Sequence, residues 1–203
     1  MTISEKKVQL LPVSDLSSAL DIVIRAYSTN PINVAVLGDT TSPKAHKRAR
    51  ELFQFFLKEL PGEVVCIKEG HKVIAVMRMA EPGKCQPPKS FGLMFRLLQI
   101  AGTRILRILK WASFWGKLDP TERHWHLGPI AVEPELQGKG LGSHLLKYFC
   151  ERVDEFKDAA YLETDKAINV RLYERFGFSV IHEESLFGVR NWFMWRPART
   201  AIG

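Results

Sequence analysis

The stretch His124-Trp-His-Leu-Gly-Pro-Ile-Ala-Val132, continuing as Glu133-Pro-Glu-Leu-Gln-Gly-Lys-Gly-Leu-Gly142, decides how the rest of the chain is read. Its first nine residues read as a strand. From Gly142 to Phe156 the apolar residues Leu145, Leu146, Phe149, Val153 and Phe156 recur at helical spacing. A glycine-rich turn therefore joins a strand to the start of a helix. That junction suits an anion, because free N–H groups of the first helical turn point outward and the helix dipole adds partial positive charge. The glycines let backbone approach phosphate oxygens with no side chain between, and Lys139 adds a charge of its own. Two common phosphate fingerprints fail on register. Ser143 stands where the dinucleotide pattern G-x-G-x-x-G needs its last glycine, and the P-loop pattern G-x-x-x-x-G-K-[ST] is absent.

Downstream, Ala160–Thr164 reads as a strand and Ala167–Phe176 as a short helix ended by Gly177, a left-handed cap. Asn169 and Tyr173 are four apart and share one face of that helix. Upstream, Val8–Val13 reads as a strand, and Ser14 or Asp15 as the cap of a helix reaching Tyr27. Asn30–Pro43 is irregular or a short helix, and Lys44–Leu60 is a helix. Glu63–Lys68 and His71–Met79 form a hairpin through Glu69-Gly70. Within an insert at 82–120, a proline- and lysine-rich Pro82–Ser90 leads into Phe91–Trp115, a basic amphipathic helix or helix pair. A core-packing or lid role is expected for it, with contact to a membrane surface as the second reading. Phe178–Glu183 and Trp192–Arg196 close the chain as strands. One α/β domain over 1–203 results.

Composition sets bounds on this reading. At 46% hydrophobic and 25% charged residues, 203 residues suffice for a core and do not describe a disordered chain. No stretch approaches the ~20 apolar residues of a membrane span, so stable membrane insertion is not expected. The chain start lacks the apolar run of a secretory signal. Cys66, Cys85 and Cys150 are scattered without metal-ligand spacing, so no metal is expected and a reducing cytoplasm is the simplest setting. A net charge of +7 favours an anionic partner. The basic residues are spread along the chain and no nucleic-acid motif accompanies them, so nucleic acid is not the expected partner.

Gln137, Gly140 and Gly142 match Q-x-x-G-x-G. Asn169, Tyr173, Gly177 and Phe178 match N-x-x-x-Y-x-x-x-G-F. In this order, one helix and one strand apart, the two motifs resemble the GCN5-related N-acetyltransferase (GNAT) superfamily. The resemblance is strong over Trp125–Phe178 and architectural before it. The wider pattern, ending in Trp192-x-Met194-x-Arg196, is similar to the branch that includes puromycin N-acetyltransferase-like proteins. It implies a mixed, mostly antiparallel sheet with helices on both faces and a splayed strand pair forming an acyl-CoA cleft. It also implies acetyl-CoA as cosubstrate and transfer of its acetyl group to a primary amine by direct attack. In the implied site, Ile130, Ala131 and Val132 pair with the pantetheine arm, and Gln137, Gly138, Lys139, Gly140, Leu141, Gly142 and Ser143 form the pyrophosphate turn. Asn169 bonds the pantetheine or orients the site, and Tyr173 is the general acid.

The base is left open. Glu163 alternates with Leu162, so it faces the cleft if Leu162 faces the core. His124 and His126 share a face of their strand, and His126 is carried as the second candidate; water chains in place of a fixed base are the third answer. Glu133 and Glu135 are expected in solvent. A small-molecule amine is the expected acceptor. Peptide acetylation and a non-catalytic acyl-CoA sensor are the alternatives, and a homodimer is left open.

Overall fold

The computed structural model describes residues 6–39, 42–84 and 90–199, with the side chains of all of these except Leu93 and Met94. Cys85 and most of the Pro82–Ser90 stretch lie outside the described residues.

Seven strands form one sheet in the order β1-β2-β3-β4-β5-β7-β6. They are β1 (Val8–Leu10), β2 (Glu63–Glu69), β3 (Lys72–Ala80), β4 (His124–Val132), β5 (Ala159–Thr164), β6 (Ser179–Leu186) and β7 (Val189–Arg196). Every pairing is antiparallel except β4–β5. Alternation sorts the strand residues onto two faces. Cys66, Val76 and Ala131 lie under α1 (Leu16–Tyr27), α2 (Pro31–Leu37), α3 (Pro43–Lys58) and α5 (Ile105–Leu118). Ile67, Ala75, Met77, Trp125 and Leu162 lie under α6 (Leu141–Glu155) and α7 (Ala167–Glu174). Leu145, Leu146, Phe149 and Val153 of α6 are fully buried there, each contributing about 1.5–3 kcal/mol of hydrophobic stabilisation.

Local chemistry explains most boundaries. The stretch from Asn30 contains a helix, α2, because Asn30 accepts from the Asn33 amide and Pro31 occupies the first turn. Ser42 caps α3 in the same way. Neither Ser14 nor Asp15 caps α1: a 3-10 turn over Val13–Asp15 precedes it, and the Asp15 carboxylate binds Lys68 at 2.8 Å instead. Phe91–Trp115 is a helix pair, α4 (Phe91–Ala101) and α5, parted at Gly102, whose φ is +50°. β6 and β7 run further toward each other than the sequence suggested, meeting at Phe187-Gly188, both with positive φ. Among the described residues, no helix is long and apolar enough to cross a membrane.

Candidate active site

The site begins where β4 and β5 part. Three residue pairs join them: His124 with Ala159, Trp125 with Ala160, and His126 with Tyr161. Beyond that rung the strands diverge, while β4 stays paired to β3 as far as Val132. A bulge assists the divergence. Met77 pairs with Ile130 and Met79 with Leu127, so β4 holds one more residue than β3 across Gly128-Pro129. A Cβ on Gly128 would stand 3.2 Å from the Arg78 carbonyl oxygen, which is why glycine fits that bulge.

At the end of β4 the backbone turns through Pro134–Leu136 into the glycine turn. Gly138 and Gly140 adopt φ of +76° and +90°, open to glycine and strained for other residues. No side chain caps α6 at Gly140, so the amides of Leu141, Gly142 and Ser143 remain available at a dipole-positive end. Gly138, Lys139 and Gly140 are exposed, and a Cβ on Gly138 would meet nothing within 4 Å. The residues present therefore fit a diphosphate. Gln137 reaches back to donate to the Val132 carbonyl at 3.2 Å, bracing the turn on its strand. A cavity of about 560 Å³ opens beside it, lined by Arg25, Ser28, His46, Pro134, Gln137 and Lys166 among others.

Glu133 is a correction to the sequence reading. It is buried, and Arg25 of α1 grips both carboxylate oxygens at 2.9 and 2.8 Å. The pair ties α1 to the turn, and the hydrogen bond that Arg25 donates to Glu133 raises the Arg25 pKa. Glu135 is exposed, as expected.

Tyr27 was missed from the sequence. Its hydroxyl accepts from the Ile130 N–H and donates to the Ile130 carbonyl, both at 3.2 Å. Of the backbone expected to meet the pantetheine arm, the N–H and carbonyl of Ile130 are thus held by a tyrosine 103 residues away. Ala131 turns its side chain into the α1 core, and Val132 packs toward α6. Burial raises the Tyr27 phenol to about 12.

Tyr173 lies on α7, buried, with its ring 6.1 Å from that of Phe178. Burial pushes its pKa far up, with further upward contributions from Tyr27, Asp165 and Glu163, so the acids and phenols of the cleft are electrostatic neighbours. Asn169 donates to Thr164 at 3.3 Å, fastening α7 to the end of β5. Across the mouth, Asp165 accepts from Asn30 at 2.7 Å and from the Ile32 amide at 2.8 Å.

Leu162 is buried on the α6 side, so Glu163 faces the opposite side, as alternation required. Its carboxylate accepts from His126 Nε2 at 2.9 Å. Behind that pair, Asp119 Oδ1 lies 3.8 Å from His126 Nδ1 and 3.2 Å from His124 Nε2. The His124 Nδ1–H donates to the Glu122 carbonyl at 2.7 Å. Asp119, His124 and His126 bring three polar atoms within 4.8 Å of one another. Asp119 was not singled out from the sequence. The Tyr161 hydroxyl donates to the Leu118 carbonyl at 3.2 Å, tying β5 to the end of α5. Cys66 and Cys150 are buried and free. Burial raises both thiols, Cys150 to about 11, which argues against either as a nucleophile.

This geometry has relatives. Residues 32–178 match the model of the acetyltransferase (GNAT) family. Among solved structures, the chain is similar to a Corynebacterium glutamicum protein described as histone acetyltransferase HPA2 and related acetyltransferase. The TM-score is 0.71 at 18% identity, covering 98% of this chain and 99% of that one. It is also similar to the ribosomal-protein-S18-alanine N-acetyltransferase of Escherichia coli, with a TM-score of 0.58 at 18% identity over 97% and 96% of the two chains. A GNAT family acetyltransferase from Brucella melitensis, solved in complex with acetyl-CoA, gives 0.51 at 14% identity over 98% and 90%. The match to the family over most of the chain agrees with the forked sheet and the glycine turn, and the chain belongs to the acetyltransferase (GNAT) family as an acetyl-CoA-dependent N-acetyltransferase.

Proposed function

We propose that the chain, as a single domain, transfers the acetyl group of acetyl-CoA to a primary amine of a small molecule, by direct attack within a ternary complex. Its affinity within the family is assigned to the puromycin N-acetyltransferase-like branch, and its setting to a reducing cytoplasm that suits the buried thiols Cys66 and Cys150. The observation that carries the reading is the hydrogen-bonded pair His126–Glu163 at the vertex of the β4–β5 fork. The Glu163 side chain is 4% exposed and that of His126 19%. Asp119, at the end of the insert, lies beside them, 3.8 Å from His126 Nδ1. A compact amine reaches so buried a pair more readily than a folded protein surface does.

The amides of the glycine turn bind the diphosphate of the cosubstrate, and Gln137 keeps the turn in register. The backbone of Ile130 to Val132 aligns the pantetheine arm, with the Tyr27 hydroxyl giving way at Ile130. Asn169 holds α7 so that Tyr173 faces the sulfur. The His126–Glu163 pair takes the proton the amine must lose before it attacks. The amine nitrogen then bonds to the thioester carbonyl carbon while the carbon–sulfur bond breaks, and the Tyr173 hydroxyl donates to the departing sulfur. Alignment in the fork supplies most of the acceleration, up to ~7–11 kcal/mol in favourable cases.

A thiol-release assay with acetyl-CoA tests this against a panel of small primary amines and of peptides with free N-termini or lysines. Turnover of small amines, lost in Glu163→Gln with acetyl-CoA binding intact, is expected. Turnover of peptides alone would sink the small-molecule reading in favour of the protein-acetylating alternative, the activity for which the Escherichia coli neighbour is named.

A further inference from the structure

Lysines and arginines are scattered through this chain, but their excess is not. Residues 82–118 contain seven of them and no aspartate or glutamate, which equals the entire formal net charge of +7. The rest of the chain is balanced. Five of the seven lie on α4, α5 and the turn between them: Arg96, Arg104, Arg107, Lys110 and Lys117.

The same helices expose large apolar side chains. On α4, Phe91 is 98% exposed and Phe95 63%, with Leu98 completing a stripe at spacings of four and three. On α5, Leu106 is 79% exposed, and Leu109 follows three residues on. These are not core residues at a ragged edge. The inward faces are already filled, by Ile100 and Ala101 of α4 and by Ile108 and Trp111 of α5, packed in the α1–α3 core. The basic surface continues onto the β6–β7 turn, where Arg107 and Lys110 stand 4.8 and 5.3 Å from the Phe187 ring centre.

We propose that this face of α4 and α5 adsorbs to an anionic lipid bilayer surface. Phenylalanine and leucine enter the boundary between headgroups and acyl chains, while lysine and arginine meet the lipid phosphates. At 11 and 14 residues, neither helix spans a bilayer, so the contact is shallow and reversible. A second copy of the chain is a poor occupant, because apposing the face to itself would bring Arg104, Arg107, Lys110 and Lys117 against their like. Nucleic acid would use the charge and stack bases on the phenylalanines, but would leave the exposed Leu98, Leu106 and Leu109 unexplained. The inference does not depend on the acceptor amine or on the roles of the fork residues.

The test is co-sedimentation of the full chain with vesicles of phosphatidylcholine alone and of phosphatidylcholine with phosphatidylserine in equal parts. Binding confined to the phosphatidylserine vesicles and weakened by salt is expected. Neutralising two lysines, Lys110→Gln with Lys117→Gln, should lower partitioning about 30-fold, taking about 1 kcal/mol for each charge at the surface. Phe91→Ser with Phe95→Ser should lower it at high salt as well as low. The melting-temperature rise given by acetyl-CoA reports that each variant is folded. Equal binding to neutral vesicles, no vesicle binding by the folded chain, or wild-type partitioning in both folded double variants would each overturn the proposal. Self-association or capture of an acidic protein without vesicle binding would do the same.

Discussion

Replacing Tyr173 by phenylalanine isolates one hydroxyl. The ring remains, together with its packing on Phe178, so stability should change by about 1 kcal/mol or less. The magnitude of the catalytic effect follows from burial. Burial holds the Tyr173 phenol far above its ordinary value of 10, whereas an ordinary thiol titrates near 8.5. Complete proton transfer from this phenol to a departing thiolate is therefore uphill. What the hydroxyl offers is a hydrogen bond to developing charge, worth about 1.5–3 kcal/mol, or about 10–150-fold in kcat. Steady-state thiol release at saturating amine should show that loss in kcat with the KM for acetyl-CoA little changed. No fall in rate due to Tyr173 should occur as pH rises to 10, because the phenol keeps its proton there. A kcat unaltered by Tyr173→Phe would refute the role, and an equal loss of acetyl-CoA binding would recast Tyr173 as a binding residue.

Three further outcomes are expected. Tyr27, Tyr161 and Tyr173 all have raised pKa values, chiefly from burial. The folded state thus holds protons that the unfolded chain releases near pH 10, and stability present below that pH is lost above it at about 1.4 kcal/mol per pH unit for each tyrosine. In a Tyr148→Phe chain, which keeps only these three tyrosines, the tyrosinate absorbance of an alkaline titration should rise together with the loss of circular dichroism; tyrosinate appearing while that chain is still folded would contradict this. Arg25→Ala leaves the Glu133 carboxylate buried without its guanidinium. Because the Arg25 side chain is 49% exposed, water screens part of the pair, and the cost should be about 1–2 kcal/mol in urea unfolding. Gly140→Ala forces a side chain onto φ of +90°, costing about 1–2 kcal/mol. It should weaken the acetyl-CoA-induced rise in melting temperature more than it lowers the melting temperature itself.

What could be read from the sequence was whatever is written locally. The β4 strand, the glycine turn, α6, β5 and α7 are fixed by periodicity and by glycine and apolar spacing within a few residues, and they stand within a residue or two of expectation. The facing of Glu163 followed from simple alternation with Leu162. Long-range partnerships were not readable. Nothing near Glu133 announces Arg25, 108 residues away. Nothing near Tyr27 announces Ile130, and Asp119 becomes notable only once α5 delivers it to His124 and His126. The outer strand β6 escaped in part for another reason. Residues 181–185 are all exposed, so they carry no alternation between apolar and polar.

The three-rung ladder between β4 and β5 has a mechanical meaning. A seven-stranded sheet is only as continuous as its weakest seam, and here two half-sheets meet along a short line of backbone pairing. Side-chain clasps reinforce that seam from outside: Asp165 to Asn30 and Ile32 on one lip, and Arg25 to Glu133 near the other. A pantetheine arm laid along β4 would act there as a splint, lending the fork the pairing its own strands withhold. Amide protons of residues 127–132 would then exchange as part of one plate when the splint is in place, and as the loose margin of two plates when it is not.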